Sequence, residues 1–196
     1  MTKTSVNAIE LVNGSNDATL ASPLTGNHVV FRKSRGRLNA MPQKKLKLVS
    51  GGQTGAHRAA PDFAIKHGIP YDGWCPKGRL AEDGQVPARY RLKETSTSVY
   101  SERTELNVRD SDGTVVLTIS PKLSGGSLET FLFAKKQSKP VLHLFRHGST
   151  SPGNELRRFV QEQKIQILDV AGRRASNEPA VGACVKEVLE TALAAA

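Results

Sequence analysis

The chain has 196 residues, of which 38% are hydrophobic and 23% charged, a composition typical of one soluble globular domain with a tail. Its net charge is +10, but the basic excess is scattered among acidic residues and only 5% of the residues are aromatic, which disfavours nucleic acid as a partner. The sequence has neither an apolar run of the roughly 20 residues that cross a membrane nor a secretion signal, so we expect a cytoplasmic protein that does not bind membranes.

The first 44 residues are rich in Asn, Ser, Thr and Gly and show no helical or strand period, apart from one strand-like run at 28–32. We therefore predict a flexible N-terminal extension at 1–44 and one ligand-binding domain at 45–196. In that domain short β-branched runs alternate with helical patterns, which is typical of parallel strands joined by helical crossovers. The predicted fold class is α/β, a Rossmann-like three-layer fold with a mostly parallel sheet of about five or more strands.

The domain begins with a predicted strand at 46–50, the sequence GGQTG, a helix at about 54–67 that Gly68 ends, and a brief strand at 69–73. The next stretch, residues 74–95, is rich in Gly, Pro and charge, so we predict an irregular loop, and loops of this length are usually functional or disordered. The remaining predicted elements are a helix from Ser98 or Ser101 to about 110, strands at 113–120, 139–145 and 165–170, and helices at 128–137, 152–164 and 179–195.

Three loops follow the first, third and fifth predicted strands, at 51–55, 124–127 and 171–176. Parallel strands end at the same edge of a sheet, so we expect these loops to be neighbours near the point where the strand order reverses. Two of them, GGQTG and SGGS, combine glycines that allow close backbone approach with the start of a helix, where unpaired N–H groups attract anions. The sequence therefore predicts a site for a phosphate-bearing small molecule such as a nucleotide or a pterin cofactor. Neither loop matches GxGxxG or GxxxxGK[ST], which disfavours an ordinary dinucleotide dehydrogenase and a P-loop NTPase.

The predicted ligand-binding residues lie in these loops, or carry a cation that can grip phosphate oxygens. They are Gly51, Gly52, Gln53, Thr54, Gly55, Arg58, Lys77, Arg79, Ser124, Gly125, Gly126, Ser127, Thr130 and Arg174. For each cation, as for Arg103 and Arg109, a solvated surface charge is the alternative. Further candidates are Glu82 and Asp83, to orient a ribose or a water, and Trp74 and Tyr90, to stack on a flat ring. Cys75 and Cys184 lack the spacing of zinc ligands, so we expect no protein-bound metal.

Several ordered motifs resemble one known family, the bacterial "putative molybdenum carrier" family, over residues 46–190. They are GGQTGAHRAAPDFAIKHGIP, GWCPKGRLAEDG, RTELNVRDSDGTVVL, SGGS, SKPV and VAGRRASNEP. This family is itself similar to the molybdenum-cofactor carriers of algae and to the nucleotide-binding SLOG superfamily, which includes phosphoribohydrolases. The resemblance implies a Rossmann-like fold, a homo-oligomer (a dimer or a tetramer), and a pocket over the glycine loops for the molybdenum cofactor (molybdopterin) or a nucleotide.

The chain departs from the usual pattern of that family at three positions. His57 stands where an acid is common, Arg173 replaces a proline, and Pro61 falls inside the first predicted helix. The first two changes place a potentially positive group beside the predicted phosphate site and should favour anions. Pro61 removes a helix hydrogen bond, at a cost of about 3 kcal/mol unless it lies in the first turn.

Three functions fit these features. The leading hypothesis is a non-enzymatic carrier with no catalytic residue, in which Arg79 and Arg174 neutralise the ligand's charge and the loop at 74–90 covers the pterin. The alternative is a phosphoribohydrolase-type enzyme that cuts an N-glycosidic bond, with Glu82 or Glu129 assisting the reaction. The third is a nucleotide-sensing module that acts through partner proteins.

Overall fold

The computed structural model of the chain describes residues 45–194. The predicted N-terminal extension at 1–44 and its strand-like run at 28–32 lie outside the described residues, as does residue 195 at the end of the last predicted helix. In chain order the strands are β1 (Lys47–Val49), β2 (Tyr71–Asp72), β3 (Trp74–Cys75), β4 (Leu80–Ala81), β5 (Gly84–Gln85), β6 (Lys93–Glu94), β7 (Gly113–Thr118), β8 (Val141–Phe145) and β9 (Ile167–Gly172).

Five helices complete this part of the chain. They are α1 (Ala56–His67), α2 (Tyr100–Arg109), α3 (Gly126–Lys136), α4 (Pro152–Glu162) and α5 (Val181–Leu193). Each corresponds to a predicted helix, and α1 ends at Gly68 in the left-handed conformation, with a φ of 60°. None of the helices within 45–194 is both long and apolar enough to span a bilayer.

A five-stranded parallel sheet in the order β2-β1-β9-β7-β8 forms the centre of the fold. The chain leaves β1 through α1 toward β2 on one side, and leaves β7 through α3 toward β8 on the other. The last strand, β9, fills the gap between β1 and β7, so the loops after β1, β7 and β9 are neighbours, as predicted. The α/β, Rossmann-like fold class is confirmed.

The two faces of the sheet differ in polarity. One face packs with α1, α4 and α5 in the main apolar core, and its sheet residues include Leu48, Val115, Leu117, Leu168 and Val170. Side chains alternate along a strand, so Thr114 and Asp169 point to the other face, beneath α2 and α3. Both are buried, and the Thr114 hydroxyl lies 3.4 Å from an Asp169 carboxylate oxygen. The face beneath α2 and α3 is therefore polar at its centre.

The stretch predicted as an irregular loop contains the four two-residue strands β3 to β6. β3 pairs with β6 in parallel, and β4 and β5 form a small antiparallel hairpin. Arg79 organises this segment, because its guanidinium donates to four backbone carbonyl oxygens at 2.9–3.3 Å, those of Val86, Pro87, Tyr90 and Leu92. Internal hydrogen bonding therefore orders a segment in which the sequence shows no period.

Candidate functional site

A cavity of about 410 Å³ lies where the loops after β7 and β9 meet the start of α2. Its walls include the glycine loop that begins α3 (124–127), the loop after β9 and one face of α2. It lies at the carboxyl edge of the sheet beside the reversal of strand order, where α/β proteins of this type bind ligands. Within residues 45–194 no cluster of three or more His, Cys, Asp or Glu side chains could bind a metal ion.

The start of α3 opens onto this cavity without a capping side chain from the described residues. Gly125 has a φ of 52° and a ψ of −138°, a positive-φ conformation that glycine adopts and other residues rarely do. The Ser127 hydroxyl, which could otherwise cap the helix, donates to the carbonyl oxygen of Ser124 at 2.8 Å. The backbone N–H groups of the first turn of α3 are thus available to an anion in the cavity, where the helix dipole also favours negative charge.

Two consecutive arginines after β9 have different roles at the cavity. Arg173 donates through Nη1 to the carbonyl oxygen of Ser124 at 2.8 Å and to its hydroxyl at 2.6 Å, which ties the two loops together. Its Nε lies 4.0 Å from Glu178. Arg174 stacks over the ring of Tyr100 at 4.8 Å and forms no ion pair with any carboxylate of residues 45–194. Arg174 is therefore a cation available to a ligand.

Arg103 forms the floor of the cavity from α2. It is only 4% exposed, its Nε has no hydrogen-bond partner among the described residues, and its Nη1 lies 3.5 Å from Nδ1 of His57. A side chain on Gly51 would collide with the Arg103 guanidinium, which would have to move to make room for it. Burial lowers the pKa of Arg103 to about 10, while Asp169 beneath it acts in the opposite direction. Arg103 therefore keeps its charge at neutral pH.

His57 does not supply the positive charge expected from the sequence. It is buried, and burial, Arg103 and Arg174 together hold its pKa well below the usual value. The imidazole is therefore neutral at pH 7, and the positive charge at this position belongs to Arg103. The expectation fails because α2 covers the side chain, which the local sequence does not reveal.

The first glycine loop, 51–55, does not line this cavity, and its residues Thr54 and Gly55 instead line a separate pocket of about 260 Å³ with Arg58 and Ala175. Oε1 of Gln53 accepts the backbone N–H groups of Thr54 at 3.0 Å and Glu82 at 2.9 Å. The Thr54 hydroxyl donates to the Glu82 carboxylate and accepts the N–H of Ala175 at 3.1 Å. Gly55 lies against the backbone of 173–175, leaving no room for a side chain. The two glycine loops are close, but they do not share this cavity.

Other predicted ligand residues also lie outside the cavity. Arg58 pairs with Asp83, with Nη2 and Oδ1 3.0 Å apart, and Lys77 is exposed. The donors of Arg79 are used within its own loop, and the buried Thr130 hydroxyl donates to Gly126 at 2.8 Å. Of the predicted set, the cavity brings together Ser124, Gly125, Gly126, Ser127 and Arg174.

Most of the predicted aromatic and acidic candidates also lie outside the cavity. The Trp74 indole donates to Asp110 at 2.8 Å and the Tyr90 hydroxyl to Asp62 at 2.7 Å, and neither ring lines the cavity. Burial raises the pKa of Glu82, but hydrogen bonds from Ser176 and Thr54 outweigh it, so the pKa is lowered overall and this carboxylate links two loops. Of the two acids considered for catalysis, Glu129 lines the cavity and Glu82 does not.

Tyr100 is the functional candidate that sequence reasoning missed. It begins α2, three residues before Arg103, and residues three apart share one face of a helix. This spacing is the one local signal that could have identified the side of α2 that carries Tyr100 and Arg103. It does not indicate that this side of α2 lies over the start of α3.

The comparisons with known proteins agree with this fold. A model of the circularly permutated YpsA SLOG family matches residues 48–193. The chain is 47% identical to a protein from Syntrophus aciditrophicus SB whose crystal structure carries the name "Putative molybdenum carrier protein". The match covers 76% of this chain and 96% of that one, with a TM-score of 0.74. None of the curated proteins matches this chain.

Proposed function

This chain belongs to the circularly permutated YpsA SLOG family, and from that premise we propose that its 410 Å³ cavity binds a phosphate-bearing small molecule. We propose further that the protein carries this ligand without converting it. One observation carries the proposal: the start of α3 and Arg174 line the same cavity, and within residues 45–194 the helix start has no capping side chain and Arg174 no ion-pair partner. Helix amides and a guanidinium are two of the strongest phosphate-binding groups in proteins.

The residues of the cavity fit the molybdenum cofactor, a pterin with a terminal phosphate that holds molybdenum through a dithiolene. The N–H groups of Gly126 and Ser127, together with Arg174, would hold the phosphate. Tyr100, stacked with Arg174, gives the cavity an aromatic wall for the flat ring. The Nε of Arg103, which has no hydrogen-bond partner within residues 45–194, offers a buried donor to a ring acceptor. The volume lies within the roughly 300–1,000 Å³ of small-molecule sites. The name of the Syntrophus protein supports this ligand. A nucleoside monophosphate, which also has a phosphate and a flat ring, fits the same groups of the cavity.

The carrier hypothesis is tested by mixing the purified protein with molybdenum cofactor and following protection of the cofactor from oxidation. We expect the wild-type protein to slow the oxidation. Arg174→Gln should weaken binding roughly 10- to 100-fold, because a charge-assisted hydrogen bond contributes about 1.5–3 kcal/mol. Arg174 forms no ion pair within the described residues, so this variant should fold normally.

Arg158→Gln is the matched control, since Arg158 lies exposed on α4 and pairs only with Glu162 among the described residues. It should protect the cofactor as well as the wild type does. A wild-type protein that neither binds nor protects the cofactor would exclude it as the ligand.

A second candidate function rests on Glu129, the acid that lines the cavity in the first turn of α3. A carboxylate beside a bound phosphate could assist cleavage of an N-glycosidic bond in a nucleotide. Release of free base from nucleoside monophosphates, lost in Glu129→Gln, would favour this enzyme over the carrier. Tight nucleotide binding without turnover, measured by calorimetry against a panel of nucleotides, would instead indicate a sensing module.

A further inference from the structure

The cavity of the candidate site holds more positive charge than its own acidic side chains neutralise. Arg103, Arg173 and Arg174 line it, and Glu129 is the one acidic side chain from the described residues that does so. Arg173 lies 4.0 Å from Glu178, whereas Arg103 and Arg174 form no ion pair with any carboxylate of residues 45–194. Two of the three guanidinium groups therefore have no anionic partner within that part of the chain.

Arg103 is the more unusual of these two cations, because it is only 4% exposed. Burying a charged side chain costs free energy unless an opposite charge and hydrogen bonds compensate the loss of water. The Nε–H of Arg103 has no hydrogen-bond partner within residues 45–194, and its Nη1 lies 3.5 Å from the neutral imidazole of His57. The floor of the cavity is therefore a buried charge with a free N–H donor.

The acidic groups nearest to Arg103 do not balance this charge. Asp169 lies beneath it, and burial raises the pKa of that carboxyl group to about 7, so it is only about half ionised at neutral pH. Glu129 lies exposed in the first turn of α3. A neutral ring acceptor on the ligand would satisfy the Nε–H of Arg103 and leave its charge unbalanced. An anionic group on the ligand would satisfy both.

The two unpaired cations are close enough to act on one ligand. Arg174 stacks over the ring of Tyr100 at 4.8 Å, and Arg103 follows Tyr100 by three residues on α2, which is nearly one helical turn. The positive charge of Arg174 also lowers the pKa of Arg103. Arg103 is buried and Arg174 half-buried, so the cavity has an inner cation and an outer one.

We propose that the ligand carries two neighbouring anionic groups, a phosphate held by Arg174 and the amides at the start of α3, and a second anion held by Arg103. This inference rests on the proposed function and narrows its ligand to a phosphate with another anionic group beside it, as in a diphosphate. A single phosphate at the start of α3 leaves the inner cation without a counter-ion, whereas a diphosphate presents oxygens to both cations.

Calorimetry of the full chain with inorganic phosphate and with inorganic diphosphate, at equal ionic strength, tests this proposal. We expect diphosphate to bind roughly 10- to 100-fold more tightly, because it adds charge-assisted hydrogen bonds to Arg103. Arg103→Gln should lose this preference and still bind inorganic phosphate. Arg109→Gln is the matched control, since it removes the same charge from the same helix at an exposed position that pairs with Asp110. It should keep the full preference for diphosphate.

A second measurement uses the wild type alone, because a change at the buried Arg103 can also disturb folding. Retained binding of inorganic phosphate shows that Arg103→Gln is folded. Independently of any variant, the side-chain Nε–H signal of Arg103 in the ¹⁵N spectrum should shift on saturation with diphosphate, and much less with inorganic phosphate.

Diphosphate that binds no more tightly than phosphate, a preference that survives in Arg103→Gln, or an Nε–H signal that diphosphate does not move would overturn the proposal and leave the phosphate site at α3 intact. A wild type that binds neither anion would instead remove the proposed function itself. Two further titrations identify the source of the second anion, and each supports the proposal. A nucleoside diphosphate that binds more tightly than its monophosphate indicates a nucleotide, and molybdate that binds the phosphate-saturated protein without displacing phosphate indicates a separate oxyanion.

Discussion

At the scale of single residues, the site depends on three ionisable groups that α2 buries together. Arg103 stays charged, His57 becomes neutral, and the pKa of Asp169 rises to about 7 through burial, against the opposing effect of Arg103. These states follow from contacts between residues distant in the chain. The sequence identified Arg103 and His57 as candidates, but it could not predict their protonation, since that depends on packing.

The pH dependence of stability should report the burial of Asp169. Its pKa is about 7 in the folded protein and near 3.8 otherwise, so between these values the folded state binds more protons than the unfolded state. The free energy of unfolding contributed by this group is therefore present at low pH and lost as the pH rises toward 7. The Asp169→Asn variant has no titrating group at this position, so it should not lose this free energy of unfolding as the pH rises. The difference from the wild type is of order a few kcal/mol.

Urea unfolding of wild type and Asp169→Asn, from about pH 4.5 to about pH 8, measures this effect. We expect the stability of the variant relative to the wild type to increase with pH. The comparison cancels the other carboxylates, such as Glu190, whose pKa is lowered by hydrogen bonds from Lys66 and His67. Parallel pH profiles would show that Asp169 titrates normally in the fold.

At the scale of elements, α1 shows how the structure accommodates an unfavourable residue. The helix begins at Ala56, so Pro61 lies in the second turn and not in the first, where it would cost nothing. The carbonyl oxygen of His57 loses the N–H that residue 61 would normally donate. The Ser50 hydroxyl lies 2.9 Å from that oxygen and 2.8 Å from the carbonyl oxygen of Val170. A hydroxyl has one hydrogen to donate, so Ser50 can bond either of these two carbonyl oxygens, and when it bonds that of His57 it supplies the donor that proline lacks.

A double-mutant cycle tests this substitution of donors. Ser50→Ala should lower the free energy of unfolding by about 1–2 kcal/mol in the wild type, because a buried carbonyl group loses its partner. In a Pro61→Ala background the N–H of residue 61 can bond His57, so the same change should cost about 1 kcal/mol less. Chemical denaturation of the four proteins gives the coupling free energy between positions 50 and 61. Strictly additive costs would show that Ser50 does not replace the donor that Pro61 lacks.

At the scale of the whole molecule, the sequence predicted the fold better than the site. The spacing of hydrophobic residues and the positions of the glycines sufficed to predict the five helices and the main strands, because these depend on local patterns. The meeting of the three loops could be predicted because helical crossovers between parallel strands have one handedness. The second glycine loop and Arg174 were predicted as ligand residues and line the cavity. The first glycine loop has the same local pattern, yet Thr54 bonds to Glu82, Gly51 packs on Arg103, and Thr54 and Gly55 line a separate pocket. Such long-range packing leaves no signal in a local motif.

The proposal that the amides at the start of α3 hold a phosphate group can be tested without identifying the whole ligand. The most direct measurement is the amide spectrum of the ¹⁵N-labelled protein titrated with inorganic phosphate, with sodium chloride at equal ionic strength as the control. We expect saturable shifts of Gly126, Ser127 and Leu128 that weaken in Arg174→Gln, and no comparable shifts at Gly51 to Gly55. Shifts confined to the first glycine loop, or none beyond the chloride control, would contradict it.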